Sequence, residues 1–326
     1  MNRLARCFCC LVLLAWVSPA WAARGPEIID PAEVKDDPDF AIQGEYLGEG
    51  TLPDGWKGKI GAQVVALGEG KFSVELFAGG LPGAGWQRGD RQFSLSAERK
   101  GDAAEVSGLE LGGRIDGKSL TLCDAGGKTL ATLRRAERTS PTLGEKPPQG
   151  AIVLFDGSGA EQFKDGKLTE MKTLEAGCTT KEKYPMKRLH LELRLSWRPT
   201  ARGQGRSNSG VYITGVPEIQ VLDSFGLEGK RNECGALYGR QEPAVNLCLP
   251  PLVWQTFDVE FAQPEKDSQG NRPGRLLVTV RHNGVVVHDQ YGIGGKLSDA
   301  RGIHLQRHGN RVQYRNVWVV PPESEQ

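Results

Sequence analysis

Apolar and polar side chains alternate along most of the chain from about residue 41 onward. In RLHLELRLSW, Leu189, Leu191, Leu193, Leu195 and Trp197 share one face, and His190, Glu192, Arg194 and Ser196 share the other. WQTFDVEF sets Phe257, Val259 and Phe261 against Thr256, Asp258 and Glu260, and GKFSVELFAGG alternates around Phe72, Val74 and Leu76. A period of two marks β-strands with one face on a core. Turn dipeptides divide the runs: Asp116-Gly117, Gly126-Gly127 and Asn283-Gly284, the last being the strongest short hairpin signal. At least eight candidate strands follow Ala151, and no convincing amphipathic helix accompanies them. The predicted fold class is all-β. A β-sandwich or jelly roll over residues 151–321 buries the apolar faces best. Residues 41–138 read as a smaller β-domain, a barrel or a meander. Between the two lies a linker, 139–150, whose Pro141, Pro147 and Pro148 do not suit a central strand. Residues 24–40 form a polar lead-in, and 322–326 a tail.

Composition sharpens this picture. Glycine is abundant, at 43 of 326 residues, as a turn-rich β-protein requires. With 41 basic against 40 acidic side chains the formal charge is +1, which argues against a nucleic-acid partner. The first 23 residues read as a secretory signal: Arg3 and Arg6, an apolar run from about Cys7 to Val17, then Ala20-Trp21-Ala22. Ser18 and Pro19 cut that run short of the roughly 20 apolar residues a membrane span needs. The expected mature protein is exported, periplasmic or extracellular, and carries no membrane span. It keeps Cys123, Cys178, Cys234 and Cys248, and an oxidising compartment permits disulfides. Cys234 and Cys248 share one loop-like stretch and are the first choice for a pair. Without a close C-x-x-C spacing, a zinc site is disfavoured.

Seven motifs recur in a recognisable order: LFDG (154–157), NSGVYI (208–213), EIQVLD (218–223), CGALYG (234–239), WQTFDVEF (254–261), HNGVVV (282–287) and GIHLQRHGNRVQYRNVWV (302–319). Together they resemble the 3-keto-disaccharide hydrolase family over about residues 150–321. That family has the concanavalin-A-like jelly roll of lectins and glucanases. Many of its members place an arginine where this chain has Thr214. The smaller domain resembles no named family. The resemblance implies action on a sugar whose C3 hydroxyl has become a ketone. Such a ketone acidifies the C2 proton, a general base removes it, the enolate is stabilised, and the C1 substituent leaves.

The candidate residues follow from that chemistry. Glu218, Gln220, Asp223 and His308 are the candidate catalytic groups. In a regular strand Glu218 and Gln220 share a face and Asp223 lies opposite; a bulge after Gln220 would bring Asp223 round. With it, Glu218, Asp223 and His308 would make a mixed oxygen and nitrogen site for a divalent metal. The Glu-x-Gln-x-x-Asp spacing departs from the carboxylates of jelly-roll glucanases, which argues against their retaining mechanism. Asn208, Tyr212, Gln306, Tyr238 and Arg240 are candidates for contacting a carbohydrate substrate. His190, His282 and His288 read as structural or exposed. Two rivals to an enzyme remain: a non-catalytic carbohydrate-binding module, and an interaction protein of a cell-surface or periplasmic assembly.

Overall fold

A computed structural model describes residues 27–265 and 274–323. The signal-like segment 1–23 and the end of the tail, 324–326, lie outside the described residues. The architecture is all-β. Eight antiparallel strands close into a barrel: β1 (Gly44–Thr51), β2 (Lys57–Gly68), β3 (Lys71–Ala78) and, after the short pair β4 (Leu81–Pro82) and β5 (Gly85–Trp86), β6 (Gln92–Lys100), β7 (Ala103–Gly108), β8 (Leu111–Ile115), β9 (Ser119–Cys123) and β10 (Thr129–Ala136). Each barrel strand pairs with the next, and β10 returns to β1, so no edge is left unpaired. The interior is packed with side chains. Ile60, Ala62, Val64 and Ala66 of β2 and Phe72, Val74 and Leu76 of β3 point inward and are buried. The lead-in joins the same core through Val34, and just beyond it so does Ile42. The latter ends helix α1 (Pro38–Ile42), whose first turn is capped by Asp37.

Two sheets make up the rest. The seven-stranded one runs β11 (Ile152–Phe155), β22 (Gln313–Val320), β15 (Arg188–Arg194), β18 (Trp254–Ala262), β19 (Leu276–His282) and β20 (Val285–Ile293), with β13 (Leu174–Glu175) also on β22. The five-stranded one runs β12 (Phe163–Lys164), β14 (Cys178–Thr180), β21 (Ile303–Leu305), β16 (Asn208–Ile213) and β17 (Ile219–Leu222). Leu189 and Leu191 of β15 lie opposite Val259 and Phe257 of β18. They meet Val211, Ile219, Val221, Ile303 and Leu305 of the second sheet in one core. Each such side chain contributes about 2 kcal/mol through burial, so the alternation fixes which face of each strand turns inward.

The barrel docks on this sandwich through the outer faces of β2 and β3. Val65, Phe77 and Trp86 belong to the sandwich core rather than to the barrel interior. Gly226 sits beneath Val65 with φ +75°, where a Cβ atom would lie 2.2 Å from a Val65 methyl group. No helix among the described residues is long and apolar enough to cross a membrane.

Candidate functional site on the five-stranded sheet

The outer face of the five-stranded sheet gathers most of the polar residues singled out above. In register across it, Thr179 of β14 lies beside His304 of β21, and His304 beside Tyr212 of β16. Thr179 Oγ1 and His304 Nδ1 are 2.8 Å apart. The rings of Tyr212 and His304 lie 5.7 Å apart. Gln306 Nε2 donates to the Tyr212 hydroxyl at 3.3 Å, and that hydroxyl donates to Glu218 Oε2 at 2.6 Å.

Glu218 precedes β17 and folds its carboxylate across Gly210, where an added Cβ would lie only 2.0 Å from Oε1. Glycine at 210 is therefore what lets the carboxylate lie there. Burial raises the Glu218 pKa, against the Tyr212 hydrogen bond and the nearby His308 and His304, which lower it. Burial likewise pushes the Tyr212 phenol up to about 12, helped by its bond to Glu218. It stays protonated and acts as a donor. The carbonyl of Glu218 accepts from Tyr238 N at 2.8 Å, which sets the exposed Tyr238 at the margin of this face. The result is a half-desolvated carboxylate with a phenol donor and two imidazoles around it, open to solvent on the His308 side.

Other candidates stand apart. β17 pairs with β16 in unbroken register from Val211 opposite Ile219 to Asn208 opposite Leu222. With no bulge there, Asp223 points to the opposite face from Glu218. It is fully buried, with Arg206 Nη2 2.8 Å from its Oδ2. The expected metal set of Glu218, Asp223 and His308 is therefore not assembled. Gln220 and Asn208 do lie on the outer face, but both are buried and bonded to each other and to Gln204. They support the sheet beneath the site rather than line it. Arg240 lies beyond Tyr238, in a separate cleft. The expected Cys234–Cys248 disulfide is also absent: all four described cysteines are free thiols. Cys248 instead donates to the Leu222 carbonyl at 3.4 Å. Burial, together with its neighbour Cys234, raises its thiol pKa well above the ordinary value.

The sequence reading missed a second polar cluster, on the outer face of the seven-stranded sheet. His190, Glu192 and Asp258, which alternation places on the polar faces of their strands, are almost wholly buried beneath the segment 140–145. Arg188 donates to both oxygens of Glu145 and to Asp258 at 2.6–2.7 Å. His190 Nδ1 lies 2.8 Å from Asp258, Thr142 donates to Asp258 at 2.8 Å, and Gly144 N donates to Glu192 at 2.6 Å. A bulge between β15 and β22 puts Asn316 at φ +46°, where its amide donates to Glu192 and to the Glu145 carbonyl, both at 2.9 Å. The ring of His190 stacks on Trp318.

Burial alone would lower the His190 pKa, but the hydrogen bonds and charges of Asp258 and Glu192 outweigh it and raise the value. Burial would raise Glu192, but its bonds to His190, Asn316, Gly144 and Arg315 bring it down to about 2. Glu145, His190 and Asp258 each offer a ligand atom within 4.8 Å of the others, a reach that suits a metal ion. The donor set fits one poorly. Both oxygens of Glu145, and Asp258 Oδ1, already accept from the guanidinium of Arg188, which supplies the positive charge the carboxylates require. The cluster is a charge-balanced clasp that fastens the segment before the sandwich onto the sheet.

Residues 146–320 match the family model described as the 3-keto-alpha-glucoside-1,2-lyase-like domain. The chain belongs to this family. The lyase-like domain takes in the whole Glu218 face. Glu145, Gly144 and Thr142, which close the clasp, lie just outside it, so the clasp joins the domain to the segment leading from the barrel. The family relation supports a glycoside-acting function. Two solved structures from Parabacteroides distasonis ATCC 8503, both provisionally assigned as glycosyl hydrolases, are similar over 54% of this chain. One is 26% identical, with 85% of its own chain covered and a TM-score of 0.44. The other is 16% identical, with 95% covered and a TM-score of 0.39. No curated protein gives a significant match.

Proposed function

We propose that the protein is an exported enzyme that cleaves 3-keto-glycosides by base-promoted elimination at the Glu218 face. The observation that carries this reading is the Glu218 carboxylate, folded over Gly210 and held by the Tyr212 hydroxyl, in the domain that gives the family its name. A base must be ionised yet poorly solvated to take a weakly acidic C–H proton, and burial has raised the Glu218 pKa toward that condition.

The electron and proton accounting is simple. Glu218 takes the C2 proton, and the C–H pair forms the enolate with the C3 ketone. Once Glu218 carries that proton, the Tyr212 hydroxyl is free to turn from it and, with His304, donates to that oxygen. The enolate then reforms the ketone, the C1–O bond breaks, and a C1=C2 double bond remains. His308, exposed beside Glu218, gives the departing oxygen its proton. Later addition of water across the double bond makes the overall change a hydrolysis.

The test is incubation of the purified protein with a 3-keto-disaccharide, with and without a chelator. The conjugated enone is followed by ultraviolet absorbance and the released sugar by chromatography. Turnover that survives in the wild type and is lost in Glu218→Gln supports the assignment. The chelator arm decides whether a divalent cation takes part. No released sugar at any pH or with any added metal would overturn it, and retention on glycan gels without turnover would mark a carbohydrate-binding module instead.

A further inference from the structure

Beside the Glu218 face lies a cleft of about 500 Å³, built by both halves of the molecule. The barrel supplies Arg88, from the turn between β5 and β6; the sandwich supplies Arg231, Arg240 and Glu242. Three arginines thus face one carboxylate.

Their placement is organised. Arg88 crosses the interface and donates to the carbonyls of Gly229 and Pro243 at 2.8 and 3.0 Å. Gly229 is needed for that approach: it has φ +86°, and a Cβ there would come within 3.0 Å of Arg88 Nη2. Glu242 stands 3.8 Å from Arg88 Nη1 and is held near that cation. Arg231 and Arg240 are brought side by side by a tight turn in which Gly239 N donates to the Arg231 carbonyl and Arg240 N to the Leu237 carbonyl, both at 2.8 Å. Both arginines are exposed, and neither pairs with a carboxylate among the described residues. The same turn includes Tyr238, whose backbone N–H bonds the carbonyl of Glu218. The cationic cleft therefore starts where the Glu218 face ends.

We infer that this cleft receives an anionic group on the saccharide, a sugar carboxylate, so that the preferred ligand is an acidic glycoside. The inference rests on the proposal that the Glu218 face handles a sugar, but not on the elimination step. Planar guanidinium forks match a carboxylate with two parallel hydrogen bonds, and two unpaired arginines at one turn can address both of its oxygens.

The experiment compares two disaccharides that differ only at the terminal unit, glucuronosyl-glucose and glucosyl-glucose, by calorimetric titration at low salt. The proteins are the wild-type chain and the Arg231→Gln/Arg240→Gln double variant, with thermal melting confirming that the variant folds. The acidic disaccharide should bind the wild type more tightly, by about tenfold for two solvent-exposed ion pairs. The preference should shrink with added salt and vanish in the variant, and binding of the neutral disaccharide should stay unchanged. Equal binding of the two disaccharides by the wild type, no binding of the acidic one, or a variant that keeps the preference would each overturn the inference. Turnover of a neutral 3-keto-disaccharide by the wild type is a separate readout: its absence would count against the reading of the Glu218 face, not against the cleft.

Discussion

Replacing Asp258 with asparagine should open the clasp. Asp258 is almost wholly buried and accepts from Arg188 at 2.6 Å, from His190 at 2.8 Å and from Thr142 at 2.8 Å. The substitution keeps the volume but removes the charge that balances Arg188 and His190. Breaking one partner out of a buried ion pair costs about 3–5 kcal/mol, because the other charge stays buried and uncompensated. For a domain of this size that corresponds to a melting temperature lower by about 10 °C. Glu105→Gln on the barrel surface is the control. Its pair with Lys100 is more than half exposed on both sides and screened by solvent, so its loss should leave the melting curve unchanged.

The pH dependence has a definite sign. The folded pKa of His190 is raised, so its contribution is full below about pH 6.5, its unfolded value, and is lost as pH rises through the folded one. Asp258 and Glu192 are depressed, Glu192 to about 2, so theirs is full above about pH 4.5 and is lost as pH falls through the folded values. The clasp is therefore strongest between about pH 4.5 and 6.5. Thermal melts from pH 4 to pH 9 check this, together with limited proteolysis at residues 140–148. In Asp258→Asn the alkaline decline should flatten, and the segment should become cleavable. A variant that melts within about 3 °C of the wild type, with the same pH slope, would refute the view that charge holds the clasp.

Gly210→Ala should leave the sheet stable within about 1 kcal/mol but drive the Glu218 carboxylate off Tyr212, so turnover should fall at least about tenfold with an unchanged melting curve. Tyr212→Phe removes a hydrogen bond that lowers the Glu218 pKa, so the acid limb of the pH–rate profile should move to higher pH. Gly226→Ala forces a Cβ against Val65 at positive φ and should destabilise the chain by about 1–3 kcal/mol in urea melts; Val65→Ala in the same chain should recover part of that loss.

Strand identity and inward faces were legible because a period of two is written directly into residues such as Leu189–Trp197 and Phe257–Phe261. The alternation already pointed to a sandwich and the family's motifs agreed with it; the five-stranded sheet, where His304 meets Tyr212 in register, is part of that sandwich. The barrel was legible as a β-domain, though its closure rests on β10 finding β1 across about 80 residues, a pairing that alternation alone does not encode.

Periodicity could not say which polar face is covered. His190, Glu192 and Gln306 all sit on outward faces of their strands, yet the first two are almost wholly buried and the third is only half-buried. The difference lies in what crosses above them. The proline-rich 139–150 segment looked like a free linker because its composition resists strand formation. Prolines do not prevent a segment from lying flat on a sheet, and Ser140, Thr142, Gly144 and Glu145 supply the partners that Thr256, Asp258, Glu192 and Arg188 need. The available signal was one of charge. A buried-face reading of Arg188, His190 and Glu192 opposite Asp258 and Arg315 demands a nearby carboxylate for balance, and Glu145 is an acid in the linker immediately before the sandwich. The same reasoning removes Asp223 from the site: on a regular β17 its carboxylate enters the core, where only a cation such as Arg206 can satisfy it.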